Sequence, residues 1–208
     1  MVESERIRKK ELEIILQKLE PYPNPDLKLE QYMTPGDVAA TLLHLAYSQD
    51  AIKDKVVYDL GCGTGRLTVG AALLGAKKTV GIDIDKSALE VARQNAKEME
   101  VDIEWVCSDV SEVESQDVDT VIQNPPFGVQ RRGADIVFLG KALDLADEVY
   151  SLHKAGRESR EFIASWVRRR SRRITHRLGL DFHIHRQFEF HTKDVHRFKV
   201  DLYRILKG

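Results

Sequence analysis

The stretch Val56-Val57-Tyr58-Asp59-Leu60-Gly61-Cys62-Gly63-Thr64-Gly65 constrains this chain more than any other. Five residues of strand character run into three glycines, and apolar residues at helical spacing follow over residues 66–74. Glycines permit positive φ and close backbone approach, while the helix behind them offers unpaired amide donors. The alternation then repeats. Residues 79–83 read as a second strand, 86–99 as a helix, 103–107 as a third strand and 120–123 as a fourth. A helix over 136–147, a strand over 149–153 and a basic helix over 157–173 continue the series. Residues 183–190 and 196–205 alternate apolar and polar positions, the pattern of an antiparallel pair. The expected fold is α/β: a doubly wound, mostly parallel seven-stranded sheet with a C-terminal antiparallel hairpin.

Upstream, Ile7, Leu12, Ile15, Leu16 and Leu19 share helical spacing, and Pro21-Tyr22-Pro23-Asn24-Pro25 forbids continuation. A second helix is expected from Thr34-Pro35, a cap followed by proline at the first helical position. With 208 residues and 42% hydrophobic content, the chain has the means to bury one sizeable core. The expected organisation is an N-terminal helix and proline-rich connector over 1–28 and one domain over 29–208. No apolar run approaches the roughly 20 residues of a membrane span, and the charged start lacks a signal-peptide core. A soluble, unexported, cytoplasmic protein follows. Cys62 and Cys107 are too few for a disulfide scaffold and lack zinc-site spacing, so both are read as reduced structural thiols.

In a doubly wound sheet the ligand crevice lies at the carboxyl ends of the strands, where strand order reverses. The glycine loop belongs there. Its third position after Gly63 is Arg66, where a dinucleotide fingerprint requires glycine, which argues against a nicotinamide cofactor. Three acids close three successive strands. Asp83, 22 positions after Gly61, is placed to accept from both hydroxyls of a ribose. Asp59 can face an amino-acid amine or order the glycine loop, and Asp109 with Val110 can contact an adenine edge. Each acid alone is equally a helix cap; together they favour a nucleoside site.

Asn124-Pro125-Pro126-Phe127 follows the fourth strand. An exocyclic aromatic amine is a poor nucleophile because its lone pair is delocalised into the ring. Two acceptors aimed at its N–H groups stabilise the charge that develops on attack. The Asn124 side-chain oxygen and the Pro125 carbonyl are those acceptors, Pro126 stiffens the turn, and Phe127 stacks on the base. In isolation the same four residues also make a rigid turn with a core phenylalanine.

These stretches resemble class I S-adenosylmethionine-dependent methyltransferases, whose Rossmann-like fold carries a glycine loop, an acid after strand two and Asn-Pro-Pro-Phe/Tyr after strand four. More closely they resemble the methyltransferase-like protein 5 family, N6-adenosine methyltransferases of small-subunit ribosomal RNA, and its archaeal relatives. The stretches Leu29-Glu30-Gln31-Tyr32-Met33-Thr34, Gly81-Ile82-Asp83-Ile84-Asp85 and Val149-Tyr150-Ser151-Leu152-His153-Lys154 carry this closer likeness. It implies S-adenosyl-L-methionine as cofactor. Gln31 and Thr34 would close over its methionine end, and Gly61, Thr64 and Arg66 would line its backbone site. Asp83 would hold the ribose, and Asp109 with Val110 the adenine. At Thr64 and Arg66 some relatives carry Cys and an aliphatic residue. The resemblance also implies an RNA substrate and a small zinc-binding activator subunit.

Net charge −1 hides a segregation: residues 1–150 hold 17 Lys+Arg against 27 Asp+Glu, and residues 151–208 hold 15 against 6. Arg157, Arg160, Arg168, Arg169, Arg170, Arg172, Arg173 and Arg177, with Arg131 and Arg132, are therefore candidates for RNA phosphates. His176, His183, His185, His191 and His196 lack acidic or cysteine partners at ligand spacing, and no metal is assigned to them. Two rival functions remain at this level: methylation of a protein glutamine amide, and a noncatalytic RNA-binding or assembly role. Residues 77–81 read as an edge strand, protected or open to a partner.

Overall fold

A computed structural model describes residues 7–115, 117–128, 130, 132–185 and 195–208. The side chains of His185, Val195 and His196 lie outside that description, as do Arg131 and His191 altogether. Helix α1 (Lys9–Gln17) and α2 (Gly36–Ser48) precede strand β1 (Val56–Leu60). Then come α3 (Arg66–Leu73), β2 (Lys78–Asp83), α4 (Lys86–Glu98), β3 (Glu104–Cys107), β4 (Val118–Gln123) and α5 (Ala134–Leu145). Strand β5 (Ala146–Lys154), helix α6 (Arg157–Arg169) and strands β6 (Arg172–His185) and β7 (Val195–Lys207) complete the chain.

The seven strands form one sheet in the order β3-β2-β1-β4-β5-β7-β6. Strand β1 pairs in parallel with β2 on one side and with β4 on the other, and β5 continues in parallel beside β4. Strand β7 then runs antiparallel between β5 and β6. The doubly wound sheet with its terminal hairpin is the expected architecture.

Alternation along the strands feeds two cores. Val57, Tyr150, Leu152, Val200 and Leu202 join Leu12, Leu16, Leu42 and Leu43 on one side. Leu60, Val80, Val149, Tyr203 and Ile205 join Leu139, Leu143, Ile163 and Val167 on the other. Helices α1, α2 and α3 thus cover one face and α5 and α6 the opposite one, as right-handed crossovers around a parallel sheet require. The amphipathic α1 has its Leu12 and Leu16 fully buried in the first core.

Several local expectations are corrected. The antiparallel pair is much longer than 183–190 and 196–205, because β6 begins at Arg172, where the sequence pattern predicts a continuing helix. Ser171, at φ 54°, makes the reversal that ends α6. Residues 77–81 are not an edge, since β2 lies between β1 and β3; among the described residues the outer strands are β3 and β6. Pro35, not Thr34, is the N-cap of α2, and it makes no side-chain cap bond.

Candidate active site

Strand order reverses between β1 and β4, so the loops after these two strands lie side by side at the carboxyl end of the sheet. A cleft opens there. Gln31, Thr34, Asp59, Gly61, Thr64, Arg66, Asp83, Asp109 and Val110 line it with Asn124, Pro125, Pro126 and Phe127. Two predicted residues, Gly63 and Gly65, are not among its walls. Gly63, at φ 54°, donates its N–H to Asp83 Oδ2 at 2.8 Å. A side chain there would collide with the Tyr22 hydroxyl. Gly65, at φ 83°, caps α3, and a Cβ would lie 2.7 Å from the Trp105 ring. Its role is packing, as in the third glycine of related loops.

The proline-rich connector is the front wall. Buried Asn95 on α4 holds it: Asn95 Oδ1 accepts from Glu20 N at 2.9 Å, and Nδ2 donates to the carbonyls of Glu20 and Thr64. Gln31 spends its amide on the same task, donating to Asp85 Oδ2 at 2.6 Å and accepting from Asp26 N at 2.7 Å. Glu30 Oε1 accepts from Gln130 N at 2.7 Å, linking the connector to the loop beyond Phe127. Tyr22, Glu30, Ile84 and Phe138 also line the cleft, and sequence reasoning gives none of them a role there. Tyr22 carries no motif, only its place between two prolines.

Asn124 follows β4 directly and lines the cleft. Its Nδ2 donates to Thr34 Oγ1 at 2.9 Å, which turns Oδ1 away from Thr34, and that oxygen is buried without a hydrogen-bond partner among the described residues. Thr34, read from sequence as a cap, instead orients this amide; its own carbonyl accepts from Arg66 Nη1. Beneath the loop, Gln123 Nε2 donates to Ser151 Oγ at 2.9 Å, and Ser151 Oγ meets His153 Nε2 at 2.8 Å. This buried polar chain fixes the end of β4. Phe127 serves two environments: it lines the cleft, and its ring packs edge-on against Phe182 and Phe198 at 5.5 and 5.4 Å between centroids.

Acids dominate the cofactor half. Asp83 accepts from the amides of Gly63 and Asp85, and burial still raises its pKa above the ordinary carboxylate value. Asp109 Oδ1 accepts from Ser111 N at 2.8 Å, so it does act as a cap while lining the cleft. Asp59 is 1% exposed; Thr68 Oγ1 donates to its Oδ2 at 2.6 Å, and Oδ1 has no partner among the described residues. Burial pushes its pKa up to about 7. Burial, then the Asp83 carboxylate, pushes the Tyr22 hydroxyl well above its usual range, so it stays a donor. The orphaned Asp59 Oδ1, Arg66 Nε and Asn124 Oδ1 all belong to residues of one cleft. Buried polar atoms require partners, and a ligand bearing an amino acid, a ribose and an adenine supplies donors and acceptors of the needed kinds. S-adenosylmethionine fits this set.

The arginine run is divided by the fold. Arg160 makes a bidentate pair with buried Asp201 at 2.7 and 2.9 Å, Arg170 lies 3.6 Å over the Trp166 ring, and Arg172 donates to main-chain carbonyls at the end of α5. These three hold structure. Arg172 pairs with Lys207 at one end of the hairpin, and Asp181 with Lys199 toward the other. Through the ladders Gln123 is level with Ser151, Tyr203 and Arg177, so Arg173, opposite Leu206, lies about 10 Å nearer the other end of the sheet, the end to which α6 carries Arg168 and Arg169. Exposed cations toward the carboxyl end of the sheet include Lys28, Arg132, Lys154, Arg157, Arg177, Arg197 and Lys199, of which Arg157 pairs with Glu161 and Lys199 with Asp181. Among the described residues no group of three or more His, Cys, Asp or Glu is placed to hold a metal ion. No described helix is long and apolar enough to cross a membrane.

Known proteins share this architecture and much of this sequence. The family model of the methyltransferase small domain matches residues 35–146. An uncharacterized protein of Methanocaldococcus jannaschii is 41% identical over 212 residues, covering 97% of this chain and 95% of that protein. The rRNA N(6)-adenosine-methyltransferase Mettl5 of Drosophila melanogaster is 37% identical, covering 98% of both chains. The crystal structure of a candidate RNA methyltransferase from Pyrococcus horikoshii superposes with a TM-score of 0.91 at 48% identity, over 96% of this chain and 98% of that one.

The raised pKa of Asp59 has a testable consequence. The folded chain holds this proton up to about pH 7, whereas the carboxyl's ordinary value is 3.8, so folding is progressively disfavoured as pH rises between them and the effect levels off above pH 7. Urea unfolding of wild type and Asp59→Asn at pH 4 and pH 8 reads the difference. Relative to the variant, wild type should lose about 1 to 4 kcal/mol across that interval, since each tenfold change in proton affinity is worth about 1.4 kcal/mol.

Proposed function

Since the chain belongs to the methyltransferase small domain family, we propose that it transfers a methyl group from S-adenosylmethionine to N6 of an adenosine in ribosomal RNA. The finer reading is that this RNA is that of the small subunit, which puts the protein at the ribosome in the cytoplasm. The observation that supports the chemistry is Asn124 Oδ1 at the end of β4, buried and without a partner among the described residues.

When bound, S-adenosylmethionine supplies an electrophilic methyl group. The rest is done by this chain. Thr34 Oγ1 fixes the Asn124 amide so that Oδ1 accepts one N–H of the incoming amine, and the Pro125 carbonyl accepts the other. Both acceptors draw the nitrogen lone pair out of conjugation as it attacks, an interaction that strengthens toward the transition state. Phe127, braced by Phe182 and Phe198, orients the base. No side-chain base is needed before attack, because the amine becomes acidic only after it gains the methyl group. The cationic rim of Arg132, Lys154, Arg157 and Arg197 provides phosphate contacts beside the cleft. The zinc-binding activator subunit implied by the family resemblance belongs to the same proposal, with the outer strands β3 and β6 available to a partner strand.

Incubation with labelled methyl donor and ribosomal subunits lacking modification, followed by nucleoside analysis, tests the reading. Label is expected as N6-methyladenosine in ribosomal RNA. Label in protein glutamine supports the rival activity, and absence of label with and without activator contradicts both. In Asn124→Ala, kcat should fall about 10²- to 10³-fold, the effect of deleting one transition-state acceptor, with cofactor affinity largely kept.

The division of the arginines gives a second test. Reversing Arg132, Lys154 and Arg197 should weaken RNA binding and reduce its salt slope by about 3, roughly one for each lost phosphate contact. Reversing Arg168, Arg169 and Arg173 together should leave both nearly unchanged. Filter binding over a salt series distinguishes the two faces.

A further inference from the structure

Polar side chains take the place of apolar ones in the core beneath the Asn124 loop. Gln123 ends β4, Ser151 stands beside it in β5, and His153 follows two positions on. They face α5 and α6, since Val121 and Val149, two positions before Gln123 and Ser151, belong to that core and strand side chains alternate between faces. Gln123 and Ser151 are 0% exposed and His153 is 1% exposed. Burying such groups is costly unless they are hydrogen-bonded, and here the bonds run in one direction. Gln123 Nε2 donates to Ser151 Oγ at 2.9 Å, which leaves the serine hydrogen free for His153 Nε2 at 2.8 Å. In that tautomer Nδ1 carries the ring hydrogen.

His153 Nδ1 has no hydrogen-bond partner among the described residues. It stops 3.6 Å from Asp135 Oδ2, too far for a hydrogen bond. Asp135 belongs to the first turn of α5, the helix that follows the Asn124–Phe127 loop. Asp201, opposite His153 in β7, is already held in the bidentate pair with Arg160, and the Tyr203 ring packs on the imidazole at 5.8 Å between centroids. Asp135 is therefore the acceptor that a small inward movement of α5 brings to Nδ1. His153 does not line the cleft, and Ser151 is fully buried with its oxygen already accepting from Gln123, so Ser151, His153 and Asp135 are not a hydrolytic triad.

We propose that His153 is a positioning residue for methyl transfer: through Ser151 and Gln123 it holds the strand end before Asn124, and through Asp135 it holds the helix start after Phe127. The inference rests on the methyltransferase reading of the cleft and adds what fixes the place of the amine acceptors. Closing the 3.6 Å gap ties both ends of the loop to one imidazole, so Asn124 and the Pro125 carbonyl cannot shift without breaking a buried bond. A rigid ring that accepts at one edge and donates at the other spans both partners, which an apolar side chain of the same size does not. A misplacement of about 1 Å is enough to lower a rate about 10²-fold.

Steady-state kinetics of the full chain on ribosomal subunits lacking modification, with S-adenosylhomocysteine titrated separately by calorimetry, tests this. In His153→Phe, which keeps a ring and removes both bonds, kcat should fall about 10- to 100-fold. KM for the subunits and affinity for S-adenosylhomocysteine should stay within about twofold, a split that a general loss of structure does not produce. His153→Gln, whose amide both accepts and donates, should recover part of kcat, and Asp135→Ala should lower kcat in the same selective way. Unchanged kcat in folded His153→Phe, or equal losses of kcat and S-adenosylhomocysteine affinity, overturns the positioning role while leaving the methyltransferase reading intact. Should His153→Phe fail to fold, Asp135→Ala, at a side chain 24% exposed, carries the same comparison with the same two outcomes. Wild type transferring no methyl group to the subunits, with or without activator, contradicts the methyltransferase reading itself, and the positioning role with it.

Discussion

The parallel pairing of β1 with both β2 and β4 is the constraint on which the rest of the molecule depends. Because the chain leaves β1 toward β2 and later returns to the other side of β1 with β4, the loops after β1 and β4 diverge from a common gap. One loop brings glycines and acids, the other a rigid amide and an aromatic ring. A sheet wound in one direction would have covered that gap with a helix. Neither loop completes the cleft without the other: Asp59 and Asp83 line one part of its wall, and Asn124 lines another.

The connector converts this gap into a cleft with a defined depth. Pro21, Pro23 and Pro25 keep α1 from continuing into it, and Asn95, Asp85 and Gln130 fasten it at three places. Thr34 then stands where the two halves meet, with its hydroxyl on the Asn124 amide and its carbonyl on Arg66. Occupation of the cofactor half and the geometry of the acceptor are consequently linked through one threonine. The polar chain Gln123–Ser151–His153 secures the same loop from below.

Much of this is legible in the sequence where the signal is local. Strand β1 is written in five apolar-rich residues before a glycine, and the acids at positions 59, 83 and 109 mark the ends of the three strands that form the pocket. What is not legible depends on distant partners. Thr34 before a proline has the composition of a helix cap, and only proximity to Asn124, ninety positions away, gives its hydroxyl another role. Residues 172–178 carry three arginines, a pattern that serves a basic helix and an exposed strand equally; pairing with β7 decides for the strand. Gly65 groups by sequence with ligand-binding glycines, although the Trp105 ring from β3 is what requires it to be bare. The arginines form one cluster in sequence and fall into structural and solvent-facing sets in space, because α6 runs back against the strands.

The most direct measurement of the central claim is a crystal structure of the chain with S-adenosylhomocysteine and an adenosine-containing RNA oligonucleotide. The exocyclic N6 should lie about 3 Å from both Asn124 Oδ1 and the Pro125 carbonyl, with the base held against Phe127. An adenine bound with its amine elsewhere, and Asn124 Oδ1 still without a partner, would contradict the account.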